Sequence, residues 1–306
     1  MVPKSVVVVG SANMDLIMRI SRLPKPGESL LGSHFMTAHG GKGANQAVGA
    51  ARLGAQVSFV GCVGNDTFGA LQRKAFEREG VSISHLKTSS TAPTGTAMIL
   101  LTESGQNAIV VAPAANDDLL PADMHELGDL FARADVVISQ LEIPLETVDA
   151  ALCMARDAGV MSILDAGPAR NVAPEILKQA DIVSPNETEA ETLTGVVVDS
   201  LDAARKAAAK IHAMGVPHVV MKLGERGCLY YGEEDVFAPA FEINALDATA
   251  AGDAFTAALG AAWGRMPLRD TLRFANAAGA LAATVEGAQP SMPTLDAVNH
   301  FLHENG

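Results

Sequence analysis

The sequence alternates short apolar runs with longer segments of helical periodicity, and this alternation restricts the chain to few architectures. The apolar runs are Ser5–Val9, Gln56–Val60, Asp135–Ile138, Met161–Leu164, Asp181–Val183 and Val216–Met221. The helical patterns are Gly43–Leu53, a segment beginning near Thr67, Leu145–Ala158, Leu201–Met214, Gly252–Gly264 and Leu268–Val285. Because the runs are almost continuously apolar, both faces of each strand should be buried. The pattern therefore predicts an α/β fold with a doubly wound, mainly parallel sheet flanked by helices.

Two stretches interrupt the alternation, because they read as strands without helices between them. They lie within about residues 15–38 and 94–111. The second stretch predicts a hairpin, in which TAMILL and NAIVVA are joined by TESGQ. Two strand pairs outside the main sheet predict a small antiparallel β lid, and lids exclude water from a reaction. We expect residues 1–306 to form a single domain that carries this lid.

Composition and charge exclude some classes of partner. Hydrophobic residues make up 48% of the chain and the formal net charge is −13. Nucleic-acid-binding proteins usually carry a basic patch or stripe, and the sequence contains no such run, so we expect no nucleic-acid partner. An anionic ligand would have to be bound by local groups, such as backbone N–H groups at a helix N-terminus or a metal ion.

The sequence contains no segment typical of membrane insertion or secretion. The apolar run at the N-terminus ends after four valines, which is too short for a signal-peptide core. No uncharged apolar stretch approaches the roughly 18 residues of a membrane span. Cys62, Cys153 and Cys228 are far apart and form no C-x-x-C pair, which is typical of thiols in a reducing compartment. We therefore expect a cytoplasmic protein without a membrane partner.

Polar and glycine-rich clusters follow the predicted strands at the points where the strands end. The clusters are Asn13 with Asp15, residues 40–45, Glu142, residues 186–189, residues 222–227 and residues 247–253. Ligands of open α/β sheets bind beyond the carboxyl ends of the strands. The clusters therefore predict one shared site, although periodicity does not identify its chemistry.

The segment HGGKGANQA, residues 39–47, is glycine-rich and opens a predicted helix. It matches neither the Walker A pattern nor G-x-G-x-x-G. Its glycines would let the backbone approach a small ligand, and Asn45 can exchange hydrogen bonds with hydroxyl groups. The simpler interpretation is a tight turn before a helix, and this segment alone does not decide between the two.

Three further clusters also have a purely structural interpretation. Asn13 and Asp15 can bind neighbouring hydroxyl groups of a ligand, or they can simply end a strand. Glu142 by itself is typical of a solvated loop. Asn186 followed by Glu189 is close to a capping box, and spacing alone favours the cap over a role near bound phosphate.

The segment LDATAAGDAF, residues 246–255, is the most informative. Its small residues Ala250, Ala251 and Gly252 lead into a predicted helix whose first turn carries Asp253. Free N–H groups there would form an anion hole, and a carboxylate beside it can accept a proton from an attacking hydroxyl. Without further context the favoured interpretation is that Asp253 complements the helix dipole, a stabilisation of roughly 0.3–1 kcal/mol.

Together and in this order, these segments resemble the ribokinase-like family of carbohydrate kinases. The matching segments are GSANMD, GGKGANQA, QLE, PNETEAE, LGERG, AAGDAF and GAQPS, and they run almost end to end. The GGKGAN and AAGD segments at this separation are specific to the family. The resemblance favours the functional interpretation of each cluster. It implies an ATP-dependent sugar kinase that phosphorylates a primary hydroxyl, with D-ribose as the expected sugar.

The resemblance implies a role for each group of residues. The implied sugar-binding residues are Asn13, Asp15, Gly41, Lys42, Asn45 and Glu142. The implied ATP-site residues, with Mg²⁺ reached through water, are Asn186, Glu189, Lys222, Gly224, Gly227 and Asn276. The implied catalytic residues are Ala250, Ala251 and Gly252, as the anion hole, and Asp253, as the base. The implied ligands of a monovalent cation, K⁺, are Asp247, Thr249, Ala282, Val285, Gly287 and Ser291. A homodimer through the lids is also implied.

Three positions depart from the family's usual residues. Ala248 stands where the family usually has threonine, and Asp165 stands where asparagine is more usual. Lys222 stands where threonine is frequent, although lysine also occurs among relatives. These changes leave the base and the anion hole intact, but they leave open the cation preference and the exact sugar.

The sequence leaves other functions open. Kinases for deoxyribose, fructose or a nucleoside are related, although a nucleoside kinase would need aromatic platforms near the sugar. The single Trp and the two Tyr lie away from these motifs. A non-catalytic sugar-binding regulatory protein is another alternative, against which the intact Asp253 argues. A dehydrogenase would require a dinucleotide fingerprint, which the sequence lacks.

Overall fold

The computed structural model describes residues 3–102 and 106–306, and its strands form two sheets. The strands are β1 Ser5–Val9, β2 Asn13–Ile20, β3 His34–Gly40, β4 Gln56–Gly64, β5 Ser82–Ser89, β6 Gly95–Thr102, β7 Asn107–Ala112, β8 Val136–Ser139, β9 Met161–Asp165, β10 Ile182–Ser184, β11 His218–Lys222, β12 Gly227–Tyr231 and β13 Asp235–Pro239. The helices are α1 Lys42–Arg52, α2 Thr67–Arg78, α3 Pro121–Met124, α4 Gly128–Ala132, α5 Leu145–Asp157, α6 Pro174–Leu177, α7 Glu187–Thr194, α8 Leu201–Ala213, α9 Ala251–Ala262, α10 Leu268–Ala283 and α11 Leu295–Glu304.

The main sheet has nine strands in the order β13-β12-β11-β10-β9-β8-β1-β4-β5. The seven strands from β11 to β5 pair in parallel, and β12 and β13 add an antiparallel hairpin at one edge. The chain leaves the centre of the sheet in both directions, which confirms the doubly wound fold that the alternation predicts.

Alternate residues of β1 face two separate cores, which explains why the whole strand is apolar. Val6 and Val8 pack in the core that includes residues of α1, α2, α9, α10 and α11. Val7 and Val9 pack in the core that includes residues of α3 to α8. All four valines are fully buried, so helices cover the sheet on both faces.

The elements expected from periodicity are all present, with ends that lie close to those predicted. The sequence patterns missed β5, the β12–β13 hairpin and α11. Strand β5 lies at the edge of the main sheet and is largely exposed, so it lacks a continuous apolar run. Only Val298 of α11 is buried, and its helical pattern is correspondingly weak.

The lid is a four-stranded sheet in the order β3-β2-β6-β7. The outer pairs β2–β3 and β6–β7 are antiparallel, as expected, whereas the two central strands β2 and β6 run parallel. This parallel pairing could not be predicted, because β2 and β6 are distant in the sequence. The expected hairpin turn TESGQ falls mainly on residues 103–105, which lie outside the described residues.

One face of the lid carries exposed apolar side chains. Met98 and Val110, which are paired across β6 and β7, are 53% and 72% exposed, respectively. Leu16 and Leu100 on the same face are partly buried. Ile109 is next to Val110 in β7, so its side chain points to the opposite face, where it is 54% exposed. Separately, none of the helices in the described part of the chain has the length and hydropathy required to cross a bilayer.

Candidate active site

Helices α1 and α9 begin side by side at the carboxyl edge of the main sheet. A Cβ atom on Gly49 of α1 would lie 2.9 Å from the Cβ of Ala257 on α9. The absence of a side chain at Gly49 thus allows the two helices to pack closely. Close packing brings the two N-terminal turns, with residues 41–45 and 250–253, next to each other.

The N-terminus of α9 is left without a side-chain cap. Ala250 precedes the helix in a left-handed conformation, with φ 60° and ψ 7°. This conformation is unusual for a residue with a Cβ atom and is often found at functional sites. The Ala251 N–H bonds Ala248 O at 3.2 Å, while the N–H groups of Gly252 and Asp253 have no acceptor among the described residues. Free N–H groups at a helix N-terminus form a site for an anion.

The Asp253 carboxylate is held beside this N-terminus by the first turns of α1. Asn45 Nδ2 donates to Asp253 Oδ2 at 2.9 Å, and Gln46 Nε2 donates to Oδ1 at 3.0 Å. Lys42 Nζ lies 3.7 Å from Oδ1. Asp253 is only 4% exposed, so these donors replace the water that would otherwise solvate it.

A buried ion pair lies next to Asp253. Lys222 Nζ donates to Asp165 Oδ1 at 2.7 Å. Asp165 Oδ2 accepts from Gln46 Nε2 at 2.7 Å and from Thr256 Oγ1 at 3.2 Å. Burial acts to raise the pKa of Asp165, but the charges of Lys222 and Lys42 outweigh it and hold the pKa below its usual value.

The sequence motifs did not identify Gln46 or Asp165 as part of the site. Gln46 lies inside GGKGANQA, and Asp165 is a carboxylate at the end of an otherwise apolar strand. A charged residue at the carboxyl end of a buried strand is the signal that could have found Asp165.

Several carboxylates, including that of Glu189, lie close to Lys42. Burial acts to lower the pKa of Lys42, but Asp253, Asp165, Glu189 and Glu142 raise it above its ordinary value. Burial and the charge of Asp165 raise the pKa of Glu189, although Lys222 opposes them. The site therefore contains more carboxylates than cationic side chains.

The expected sugar-binding residues come together where the lid meets α1. A Cβ on Gly40 would lie 2.3 Å from Asp15 Oδ2, so only glycine leaves room for this carboxylate. Gly41 has φ +89°, and its Cβ would lie 2.7 Å from the backbone nitrogen of Asn13. Asn116 Nδ2 donates to Asn13 Oδ1 at 2.7 Å and fixes that side chain. These contacts place Asn13, Asp15 and Gly41 in one cluster.

Glu142 is anchored to the start of α1. Its Oε2 atom accepts hydrogen bonds from Ser11 Oγ and, at 3.0 Å, from the backbone N–H of Lys42. The carboxylate therefore satisfies one of the free N–H groups of the helix, which is a structural role that the sequence did not predict. Its other oxygen, Oε1, accepts no hydrogen bond from any described residue.

The expected ATP-site residues fall into two groups. Asn186 and Glu189 form the capping box that their spacing predicted, with hydrogen bonds of 2.9 and 2.7 Å. Glu189 Oε2 also lies 3.9 Å from Lys222 Nζ, which connects this group to the Asp165 pair. These residues therefore lie near the start of α9.

The second group shapes the backbone at the edge of the sheet. Asn276 Nδ2 donates to the carbonyl oxygens of Ala238 and Pro239, each at 3.1 Å. A Cβ on Gly227 would lie 2.2 Å from Ala238 O, so this position requires glycine. Gly224 is exposed on the turn after β11. None of these three residues contacts Asp253 among the described contacts, and their role at a nucleotide stays a prediction.

The residues expected to bind a cation lie in the loop before α9, at the end of α10 and in the segment after α10. Ala282 belongs to the last turn of α10. Asp247 Oδ1 accepts from Thr249 N, and its Oδ2 accepts from Gly287 N, both at 2.9 Å. Burial acts to raise the pKa of Asp247, but these hydrogen bonds lower it below its usual value. Ala282 O accepts from Val285 N at 3.2 Å, and Ser291 Oγ donates to Ala288 O at 2.7 Å.

Asp15 makes the site sensitive to pH. Burial, together with the charges of Glu142 and Asp253, raises the pKa of Asp15 to about 7. Since this pKa exceeds that of the unfolded chain, the folded state binds more protons in this range and loses stability as the pH rises from about 4 to about 7. Asp15→Asn removes the buried charge. Its free energy of unfolding, measured in urea, should therefore exceed that of wild type by more at pH 7.5 than at about pH 5.

Asp118→Asn provides a control whose effect should not depend on pH in this window. Hydrogen bonds from Ser89 and Thr91 lower the pKa of Asp118, so it stays ionised in the folded and unfolded chain from about pH 5 to 7.5, and its contribution to stability is lost only at lower pH. Carboxyl carbon chemical shifts would measure the Asp15 titration directly. A midpoint near the ordinary value of about 4 would contradict the prediction.

Comparison with known proteins agrees with this geometry. The pfkB family of carbohydrate kinases matches residues 3–295. The ribokinase of Haemophilus influenzae is 39% identical over 302 residues, which cover 98% of each chain. The ribokinase of Bacillus subtilis is 38% identical over 301 residues and covers 98% of this chain and 99% of its own. The structure of Arabidopsis thaliana ribokinase complexed with ribose and ATP superposes with a TM-score of 0.92, at 36% identity and 99% coverage of both chains. The chain therefore belongs to the pfkB family of carbohydrate kinases.

Proposed function

We propose that this enzyme transfers the terminal phosphoryl group of ATP to the primary hydroxyl of D-ribose, giving ribose 5-phosphate and ADP. The observation that carries the proposal is the Asp253 carboxylate, fixed by α1 beside the uncapped N-terminus of α9. The similar ribokinases, and the ribose and ATP in the Arabidopsis structure, support the choice of substrates.

The transfer follows from the positions of the groups. Asp253 accepts the proton of the sugar hydroxyl as its oxygen bonds to the terminal phosphorus, and the bond from that phosphorus to the bridging oxygen of ADP breaks. Ala250, Ala251 and Gly252 lie at the start of α9, where the free backbone N–H groups of Gly252 and Asp253 would face the charge that develops on the phosphoryl oxygens. Because these groups are already in place, little reorganisation is needed during the reaction.

The sugar would be oriented by the cluster at the base of the lid. Asn13, Asp15, Gly41, Lys42, Asn45 and Glu142 offer acceptors and donors to its hydroxyl groups. Asp15 and Glu142 would repel a sugar that already carries a phosphate, which favours an unphosphorylated substrate. No observed contact favours deoxyribose, fructose or a nucleoside over ribose. The ordered Asp253 network argues against a protein that only binds sugar.

Mg²⁺ would arrive with ATP and be bound mainly by its phosphates. Among the described residues, no three His, Cys, Asp or Glu side chains are grouped to bind a metal. Mg²⁺ typically needs only one or two protein carboxylates beside phosphates and water. Glu189 fits this requirement: it is 3% exposed, and its Oε1 lies beside Gly167 without a described hydrogen-bond donor. Bound there, Mg²⁺ would neutralise charge on the phosphates.

We place a K⁺ site at the loop before α9, the end of α10 and the segment after α10. Asp247, Thr249, Ala282, Val285, Gly287 and Ser291 would supply a carboxylate, hydroxyl groups and backbone carbonyls, the oxygen ligands that hard cations prefer. Asp247 already bridges Thr249 and Gly287 through hydrogen bonds. A cation there would stabilise the loop that leads into the anion hole at residues 250–252.

We also propose that residues 1–306 form one domain that assembles as a homodimer through the lids. Exposed apolar strand faces favour association. The three cysteines are unpaired, which is typical of a reducing compartment such as the cytoplasm.

Replacing the base tests the proposed reaction directly. Asp253→Asn should lower kcat for ribose phosphorylation by about 10²–10⁴ while the fold and MgATP binding are retained. A coupled ADP assay and calorimetric titration would measure the two effects. Asp296→Asn is a matched control, because Asp296 also lies in the first turn of a helix, α11, but away from the site. Near-normal turnover by Asp253→Asn would remove this residue from the mechanism.

The proposed cation site predicts an effect of salt identity. At equal ionic strength, kcat should be about 10-fold or more higher in potassium than in tetramethylammonium. The cation would keep the N–H groups of the anion hole aligned, and loss of one aligned oxyanion donor slows other enzymes by about 10²–10³. Asp247→Ala should abolish the difference, while Ala248→Thr should retain it. Equal wild-type rates in the two salts would show that this chain lacks the site.

The lid face predicts the assembly state. Light scattering should give twice the 31.7 kDa chain mass at micromolar concentration. Val110→Asp should dissociate the dimer, because it places a charge on the apolar face of the lid. Val197→Asp is the control and should leave the dimer intact, because Val197 lies outside the lid, where its side chain is 61% exposed. A fully active wild-type monomer would refute the proposed dimer.

A further inference from the structure

The buried pair Asp165–Lys222 lies on the edge of the sheet that faces the proposed phosphoryl group. Asp165 ends β9 and Lys222 ends β11, and the parallel strand β10 lies between them. Asp165 is fully buried and Lys222 is 8% exposed, so water contributes little to solvating either charge. Such a pair requires well-placed hydrogen bonds, because desolvation otherwise outweighs the attraction between its charges.

The pair is oriented along α9 with its positive end towards the helix N-terminus. Lys222 Nζ lies 3.9 Å from the position that a Cβ on Gly252 would occupy, in the first turn of α9. The Asp165 carboxylate accepts from Thr256 Oγ1, one turn further along the helix. A Cβ on Gly252 would make ordinary van der Waals contact with Lys222, so the ammonium group lies close to the turn that carries the free N–H groups.

The ammonium group has unused hydrogen-bonding capacity. The lysine ammonium group provides three N–H donors. Among the described residues, one acceptor, Asp165 Oδ1, lies within hydrogen-bond distance of Lys222 Nζ. Glu189 Oε2, at 3.9 Å, is too distant for a hydrogen bond. A buried donor without an acceptor is unfavourable, and an oxygen atom of a phosphate bound at the N-terminus of α9 would satisfy it.

Asp165 is itself fixed in position. Its Oδ2 atom accepts from both Gln46 and Thr256, so the carboxylate cannot rotate away from Lys222 without losing these bonds. Without Asp165, the ammonium group would face the positive end of the helix dipole with no directly bonded counter-charge. The carboxylate therefore stabilises Lys222 where the helix alone would repel it.

We propose that Asp165 is a positioning residue that holds the Lys222 ammonium group at the N-terminus of α9, where Lys222 binds the phosphoryl group during transfer. The inference rests on the proposed function, since it concerns the same phosphoryl group. It adds a cationic side chain to the free backbone N–H groups of Gly252 and Asp253 and assigns a role to a carboxylate outside the expected site residues.

A double-mutant cycle separates positioning from a general structural role. The variants are Lys222→Met, Asp165→Asn and the double variant Lys222→Met/Asp165→Asn, each with kcat and KM for ATP measured on ribose. We expect Lys222→Met to lower kcat by about 10² or more, and Lys222→Arg, which keeps the charge, to retain at least about a tenth of it. Asp165→Asn should lower kcat by about 10-fold or more in the presence of Lys222, but by less than about threefold in the Lys222→Met background.

Nucleotide binding without sugar provides a readout that does not depend on turnover. Calorimetric titration should show that Lys222→Met loses about 10-fold or more in affinity for a non-hydrolysable ATP analogue, but less than about threefold for ADP. If wild type fails to phosphorylate ribose, the proposed function is wrong. The nucleotide titrations still test whether Lys222 binds the terminal phosphate.

Lys87 and Asp123 provide a matched control pair. They form a Lys–Asp ion pair of 2.8 Å away from the site, and Lys87→Met with Asp123→Asn should leave kcat within about twofold of wild type. The proposal is overturned if Asp165→Asn lowers kcat by the same factor in both backgrounds, or if Lys222→Met stays within about threefold of wild type.

Thermal unfolding of each variant checks the fold. If Asp165→Asn alone does not fold, the proposal requires the double variant to fold and to match Lys222→Met in kcat, because removing both charges leaves no unpaired buried ion. Failure of both Asp165 variants to fold would show a purely structural role and would overturn the proposal.

Discussion

The contact between the first turns of α1 and α9, made through Asp253, is the interaction on which the site depends. Asn45 and Gln46 of α1 bind the two oxygens of a carboxylate that belongs to α9. The helices approach closely enough for these bonds because Gly49 faces Ala257 without a side chain. One contact therefore orients the proposed base and places the free N–H groups of α9 beside it.

The site places two lysines among several carboxylates, in a chain whose net charge is −13. Glu142 accepts a hydrogen bond from the start of α1, whereas the start of α9 has no side-chain cap. Lys42 and Lys222 stand among several carboxylates, and these hold the two ammonium groups in place. Burial, together with the charges of Glu142 and Asp253, also raises the pKa of Asp15 to about 7.

The lid leads directly into α1, and the loop that contains Asp247 leads directly into α9. Asp15 belongs to lid strand β2, and β3 runs directly into the turn at Gly41 that begins α1. Arg19 of β2 also forms an ion pair with Glu286, next to Gly287, whose N–H binds Asp247. The lid is therefore connected both to the cluster around Asp15 and, through Glu286 and Gly287, to the loop that contains Asp247.

The sequence by itself determined the alternating α/β fold, the separate lid, the capping box at Asn186 and the motifs that assign the family. These features are local, since apolar periodicity and short segments need no knowledge of which elements touch. Only the tertiary structure decided that β2 pairs in parallel with β6 and that Gln46 bridges Asp165 and Asp253. It also decided that Lys222 lies against Gly252. Such contacts join residues that are far apart in sequence, and their distances depend on how closely the helices and strands pack rather than on any pattern within one segment.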